Sequence, residues 1–505
     1  YGGEVDFRRN QILENTAYMT GTTGGNYSGL YAYLYSNGLL TMVDNVIAAN
    51  EAQNSFAGLA FDMYSGSRLV LEHNEIRANT ALTDSGGIFI YGEDDSQYFL
   101  RRNQIVGNSA AFRGGLWLSN GDTWEPLWGH SENNLIAGNT DGVYLWDVAF
   151  HSTNDTIADN GAYGVLITGS QTISVNLWLT NAIVWGHTDA LSNTDPGNFT
   201  FAATYSDIEG GWAGTGNINA DPLFVGDGDY RLQESSPAVD AANTAAAPAM
   251  DLDGFPRPIP VGGEADMGAY EWFRAGVALA PTPLSDTGLP GVAVAYDLTL
   301  TNEGNVAGWF VLDVVDSSLG WAVAVDAAPV WLAAGASAQI EVVVTIPADA
   351  LAGALNVATV RATAQHDTAV IAVAEIRTTA EQVAALTFAP NRTSGGFPGS
   401  VIVHAHTLIN EGNGADTFTL AAASSEGWLV TVYPAAVTLD AGESATVLVS
   451  VTIPALSDVE VTDVTTVTAT STYDSAVNAV VTDTTVGYPQ AQLYNLIYLP
   501  LVMNN

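Results

Sequence analysis

A chain of 505 residues is too long for one hydrophobic core, and 47% hydrophobic against 13% charged residues excludes a disordered acidic tail. Thirteen Arg, no Lys and 54 acidic residues set a net charge of −41, which excludes nucleic acid as a partner because counterion release needs cations clustered against phosphates. The absence of Cys removes disulfides and thiolate metal sites, and no apolar run is long enough for a transmembrane segment.

Tyr1 is neither a Met nor part of a signal peptide, so the chain is expected to be a processed or excerpted piece of something longer. From there a repeat runs in chain order. The word N-x-I-x-x-N recurs at Asn10/Ile12/Asn15, Asn45/Ile47/Asn50, Asn74/Ile76/Asn79, Asn103/Ile105/Asn108 and Asn134/Ile136/Asn139, with looser copies at Ile157/Asn160 and Asn181/Ile183. Gly29, Gly58, Gly87, Gly115, Gly142 and Gly164 keep step with it, and each opens a short stretch of period-2 alternation such as Leu30/Ala32/Leu34. One such unit cannot bury its own apolar face. Units must stack, Ile on Ile and Asn on Asn, at about 4.8 Å per rung, with the Asn amides bonding along the column. Recurrent Gly and a period of 2 rather than 3.6 disfavour a helical repeat.

The rungs resemble the right-handed parallel β-helix, the pectate-lyase-like superfold, over roughly residues 1 to 235. A closing segment sharpens the likeness. Ser236-Pro237-Ala238-Val239-Asp240, Asp251-Leu252-Asp253-Gly254, Pro256-Arg257 and Asp266-Met267-Gly268-Ala269-Tyr270-Glu271 resemble the SPAIDAG, DLDGxPR and DIGAYE pattern of secreted bacterial β-helix proteins. That segment is expected to cap the last rung, whose unpaired backbone would otherwise recruit another strand. At the other end Val5 and Phe7 align with Leu69/Leu71 and Tyr98/Leu100, so the chain is expected to open within a rung, with earlier rungs removed or covered by another chain.

From about Ala275 the vocabulary shifts to Val, Ala and Thr, and a second duplication appears. Asn302 matches Asn410, Trp321 matches Trp428, Gly335 matches Gly442 and Pro347 matches Pro454. Modules of this length with alternating strands predict two β-sandwiches, and they resemble the Ig-like modules of bacterial surface and carbohydrate-active proteins. The expected class is thus all-β: a β-helix with its closing segment over 1–274, Ig-like sandwiches over 275–380 and 381–488, and a tail over 489–505. The tail's YLPLV resembles a C-terminal motif of exported Chloroflexota-type proteins, which implies sorting or anchoring; a final strand pairing on the last sandwich, or one donated to a neighbouring chain, accounts for it otherwise.

Enzymes of this superfold imply acidic clusters on neighbouring rungs, with Arg, Lys or His beside them. Asp62, Asp147, the run Glu93-Asp94-Asp95, His130, His151, Arg68, Arg77 and Arg113 supply the candidates. Aligned by rung, Asp62 shares its column with Tyr33, Tyr91, Ser119, Trp146 and Thr168, so the carboxylate pair that acid/base catalysis needs is not visible. Asp62 and Asp147 remain the catalytic alternative.

The same alignment points Tyr31, Phe89, Trp117 and Tyr144 outward, flanked by Tyr33, Tyr64, Tyr91 and Trp146. Such a ribbon is a candidate contact surface for sugar rings or for another subunit, unless loops or the sandwiches cover it. Asp240, Asp251, Asp253 and Asp266, with Glu271 nearby, offer the hard oxygens that suit Ca²⁺; Asx-turn chemistry accounts for them equally. His404 and His406 share a strand face, but their duplicates Tyr296 and Leu298 lie in a core-facing stripe, which favours a structural role. Sequons stand at Asn26, Asn154, Asn198 and Asn391.

These readings predict an extracellular cell-surface protein, structural or adhesive, assembling head to tail or through its tail into a fibre, sheath or surface layer. Its partners would be further copies of itself, with a polysaccharide or the cell envelope. The alternatives are a polysaccharide lyase or glycosidase, and a non-catalytic carbohydrate-binding protein.

Overall fold

The computed structural model describes residues 3–18, 27–93, 95–121, 127–169, 175–194, 199–455 and 459–489. The sequons at Asn26 and Asn198, Asp94, Tyr1 and the YLPLV tail lie outside them. The chain divides into two compact units, Tyr1–Arg274 and Ala275–Asn505.

The first unit is a parallel β-helix with three faces. The first face holds eight strands, from Glu4–Arg8 to Phe199–Thr204; the second holds eight, from Gln11–Leu13 to Asp207–Ile208; the third holds seven, from Leu30–Leu34 to Asp189–Asn193. Pairing is parallel and keeps residues one lap apart in register, as in Ile12, Ile47, Ile76, Ile105, Ile136 and Ile157. These side chains join Leu69, Leu71, Phe61 and Phe150 in a continuous core.

Two columns of buried Asn make the corners. Asn74 Oδ1 accepts from both the backbone N and the Nδ2 of Asn45, at 3.0 and 2.9 Å, while its own Nδ2 donates to Met42 O and Asn103 Oδ1. The pattern repeats through Asn50, Asn79, Asn108, Asn139 and Asn160. Each ladder Asn follows a residue with positive φ, such as Asp44, His73 and Arg102, which turns the chain. The glycine column has a different cause. A Cβ on Gly58 would lie 2.2 Å from Gly87 O, and one on Gly87 would lie 2.3 Å from Gly115 O, so rungs at this point touch backbone to backbone.

Two expectations are corrected. The looser copy at Asn181/Ile183 is displaced by one residue: Asn181 has positive φ, in the turning position of Asn154, while Ala182 and Val184 hold the ladder and core places. The closing segment does not cap the last rung. Backbone around Thr215 and Ile218 bonds there to Tyr205, Ser206 and Ile208. The motif instead lies along the outside of the second face, where Leu252, Ala269 and Tyr270 cover Leu135, Ala137 and Ala158, and Leu232, Ala238 and Met267 cover Ile183. The reason is visible in those strands: Leu-Ile-Ala at 135–137 and Ile-Val-Trp at 183–185 are apolar on both sides, whereas Glu-Ile-Arg at 75–77 is apolar only inward. Asn154 is buried, with its Nδ2 donating to Asp266 O and Gly268 O, so that sequon is not a surface site.

The second unit holds two pairs of facing, mainly antiparallel sheets. The first pair has four and five strands around Leu298, Phe310, Trp321, Val342 and Ile376; the second repeats the arrangement around Leu408, Phe418, Trp428 and Val449. The duplicated N-E-G-N turn has one structural role in both. Asn302 Nδ2 donates to Val306 O and Leu332 O and its Oδ1 accepts from Gly304 N, and Asn410 makes the same bonds with Gly414, Leu439 and Gly412.

The ladder sets two expectations. Asn74→Ala leaves buried groups of Asn45, Met42 and Asn103 unmet and should cost about 2–4 kcal/mol in urea unfolding, against less than about 1 kcal/mol for Asn10→Ala at the described edge. Asp155 occupies a ladder position, accepting from Asn134 and from Ser152 Oγ, and burial pushes its carboxyl up to about 6. The folded chain holds this proton to higher pH than the unfolded chain. Its contribution is therefore most favourable below the ordinary carboxylate range and is lost as pH rises through about 6. Asp155→Asn should accordingly stabilise the protein by about 1–3 kcal/mol above about pH 7, and by little below about pH 4, as read from denaturation midpoints across pH.

Candidate functional site

The outward side of the third face forms a lattice. Along one rung stand Tyr31, Tyr33 and Tyr35; on the next Ala60, Asp62 and Tyr64; on the next Phe89, Tyr91 and Glu93; then Trp117 and Ser119. Strand alternation turns these side chains out, and parallel register sets each above its counterpart one lap away. Trp146 and Tyr144 continue the columns.

The rings stack largely on one another. Centroids lie 5.1 Å apart for Tyr27 and Phe56, 4.7 Å for Phe56 and Phe89, 4.2 Å for Phe89 and Trp117, and 5.1 Å for Tyr33 and Tyr64. Arg113 lies over the Trp117 and Tyr144 rings at 4.1 and 4.5 Å and pairs with Asp84. A ring stacked on both sides presents its edge, not its face. Phe89 is only 8% exposed, so it belongs to the stack rather than to the open surface, whereas Tyr33 is 59% and Trp146 38% exposed. Tyr27, Phe56 and Arg113 were not among the sequence-predicted members; they come from loops outside the regular alternation, where only the isolated bridges Tyr27–Phe56–Ser85 reveal the column.

Asp62 accepts from the Tyr31 hydroxyl at 2.5 Å, and Glu93 accepts from the Tyr91 hydroxyl. Burial first, and then the bonded carboxylate, pushes the pKa of both phenols above the ordinary range. Asp147 is not part of this lattice. It is buried in a turn of positive φ beyond Trp146, three rungs from Asp62, or roughly 14 Å at the usual strand spacing. A glycosidase pair stands at about 5–9.5 Å. His130 and His151 lie on the first face, in a separate column with Phe99 and Trp178. His151 and Trp178 stack at 4.2 Å, and burial lowers the ionisation of His151. The expected hydrolase residues are thus divided between two faces.

The acidic residues of the closing segment do not converge on a cation. Asp251 accepts from Phe255 N and Glu271 N, Asp266 from Asp240 N and Trp272 N, and Glu271 from Ile259 N, Asp266 N and the buried Arg257 guanidinium. Asp253 pairs with Arg231. Buried carboxylates need donors, and here backbone N–H groups and Arg257 supply them. No cluster of three or more ligating residues that could hold a metal occurs among the described residues.

His404 and His406 are buried in the second sandwich. His406 Nδ1 lies 2.8 Å from Pro390 O and Nε2 2.9 Å from Asp483 Oδ2; His404 Nε2 lies 3.0 Å from Thr485 Oγ1. In the first sandwich the corresponding places hold Tyr296 bonded to Thr378 at 2.7 Å, and the apolar residues Leu298 and Ile376.

One feature escaped the sequence reading. Trp309 and Trp331 sit directly opposite each other on the outer side of the first sandwich, 49% and 54% exposed. The same positions of the second sandwich hold Thr417 and Thr438, bonded to each other at 2.8 Å. The signal lay in the duplication, at the places where its copies differ.

Residues 1–181 match the family model "Right handed beta helix region", and residues 289–367 match the "NPCBM-associated, NEW3 domain of alpha-galactosidase". The first unit is therefore a right-handed β-helix, and the first sandwich is similar to a carbohydrate-associated module. Among the curated proteins none matches the sequence. Among solved structures the chain is similar to the E. coli chaperone DraB, at 17% identity over 21% of this chain and 56% of that chain, with a TM-score of 0.18. It is also similar to a protein of unknown function from Porphyromonas gingivalis W83, at 14% identity over 42% of this chain and 98% of that one, TM-score 0.17. A further likeness is to the titin domains z1z2 in complex with telethonin, at 13% identity over 42% and 98%, TM-score 0.20. The chain thus spans 56% of the DraB chain.

The buried His406–Asp483 pair yields a sharp expectation. His406→Leu alone strands Asp483 and should cost about 3–5 kcal/mol, while His406→Leu with Asp483→Ile restores the apolar pair of the first sandwich and should be neutral or stabilising. Chemical denaturation of the two variants checks this.

Proposed function

We propose that this protein is a non-catalytic, extracellular surface protein whose β-helix presents the tyrosine-rich third face as an adhesive contact surface, carried on two sandwiches. The observation that carries the reading is the lattice itself: half-exposed aromatic side chains held in register over successive rungs, with the candidate catalytic carboxylates Asp62 and Asp147 three rungs apart. The low charge density and net charge of −41 fit a neutral or cationic partner better than a polyanion. Assembly into a fibre or sheath belongs to the same proposal and would show as ordered particles by electron microscopy.

A second reading, binding of a neutral glycan, is supported by the Trp309/Trp331 pair. It lies within the segment matched by the NPCBM-associated model, and its indoles stand half exposed where the other copy carries a closed Thr pair.

Adhesion to immobilised envelope material should fall several-fold in Tyr33→Ala/Trp146→Ala. Glycan retention should fall in Trp309→Thr/Trp331→Thr, and no unsaturated or reducing ends should be released from any polysaccharide tested. Turnover that disappears in Asp62→Ala would overturn the non-catalytic reading.

A further inference from the structure

We propose that Asp62 and the tyrosines around it form a binding site for an alkylammonium group. The inference rests on the third face being a contact surface and adds the chemistry of what it contacts. Asp62 occupies the middle of the lattice, with Tyr33 one rung before it, Tyr91 one rung after and Tyr64 two residues along its own strand. Tyr31 reaches across from the neighbouring column to hold Oδ2 at 2.5 Å, which fixes the carboxylate and leaves Oδ1 for a ligand. Tyr31 and Tyr33 are 42% and 59% exposed, so the site is open to solvent.

Charge decides the class of ligand. None of the ion pairs among the described residues involves Asp62 or Glu93. Arg113, on the adjoining aromatic column, is engaged with Trp117, Tyr144 and Asp84. Two carboxylates therefore stand among four phenol rings without an internal cation. A carboxylate and an aromatic face attract the same thing, a positive charge with an apolar surround, and their effects add. Their negative field also contributes, after burial, to the raised pKa of Tyr31, Tyr64 and Tyr91. Phosphate, sulfate and uronate groups are repelled. A neutral sugar could take hydrogen bonds here but would leave the charge unanswered. The sequence has no lysine, so a second copy of it offers guanidinium groups but no side-chain ammonium.

The test is titration of the full chain with choline, with its neutral isostere 3,3-dimethylbutan-1-ol and with Nα-acetyl-lysine methylamide, followed by tyrosine ring resonances or calorimetry. Both cations should bind roughly two- to five-fold more tightly than the neutral isostere, the advantage of one exposed cation–π contact, and that advantage should shrink with added salt. The ratio between choline and the lysine amide tells a headgroup source from a protein source. Asp62→Asn should reduce the preference for charge, and Tyr33→Ala should weaken both cations; each variant is checked by far-UV circular dichroism for an intact β-helix. Equal binding of choline and its isostere, binding of a neutral oligosaccharide in place of choline, or an unchanged preference in Asp62→Asn overturns the site. Those outcomes leave the contact-surface reading to be decided separately by adhesion of Tyr33→Ala/Trp146→Ala.

Discussion

The first unit depends on the buried amide ladder at its corners. Each lap must turn sharply, and it does so through residues of positive φ that include His73, Arg102 and Ala49, where a side chain is strained by about 1–2 kcal/mol. A lone turn of this kind would not persist. The Asn that follows each one ties its Oδ1 to the backbone and side-chain amides of the preceding rung and its Nδ2 to a corner carbonyl, so every rung holds its neighbours in the strained form. The lap length can then vary, from 35 residues between Asn10 and Asn45 to 21 between Asn139 and Asn160, because the difference is absorbed away from the ladder corners.

Once the rungs are locked, side chains one lap apart become physical neighbours, and the outer surface is written in columns. Two different outcomes follow from the same register. Where the column is aromatic throughout, as from Tyr27 through Phe56 and Phe89 to Trp117, the rings consume each other's faces and the column strengthens the coil. Where an acid interrupts the column, as Asp62 does between Tyr33 and Tyr91, the ring contacts pass instead through Tyr64, 5.1 Å from Tyr33 and 5.9 Å from Tyr91, and a polar centre stands among the rings.

What could be read in the sequence was whatever repeats. Ladder Asn, core Ile, the close-contact glycines and the outward tyrosines all sit at a fixed place in the lap, and the register found for them in the structure is the register the spacing implies. The unread parts do not repeat. Tyr27 and Phe56 come from loops, and Asp483 lies 77 residues from His406 with no local pattern joining them. The closing motif was recognisable, yet its place was not: its resting surface is set by the doubly apolar strands 135–137 and 183–185, and composition along the motif itself says nothing about them. The one-residue displacement at Asn181 shows the limit of the repeat, since Ala182 in the ladder position removes the residue by which the register is recognised.

The two sandwiches allow one further step, because they are copies in which the fold has been held constant. The N-E-G-N turn and the buried Trp are retained, as an internal hydrogen-bond hub and a core anchor must be. The differences fall into two kinds. Leu298 and Ile376 against His406 and Asp483 is an exchange inside the core, where an ionic or proton-sharing pair brings desolvation costs that an apolar pair avoids, so it is weak evidence of stability. Trp309 and Trp331 against Thr417 and Thr438 is an exchange on the outside, where the Thr pair closes on itself and the indoles stay half in water. A cross-strand aromatic pair adds only about 0.2–1 kcal/mol to a sheet, and the sister copy has small residues at the same places. The exposed indole pair is what supports the proposed glycan-binding reading of the sandwich that carries the carbohydrate-associated likeness.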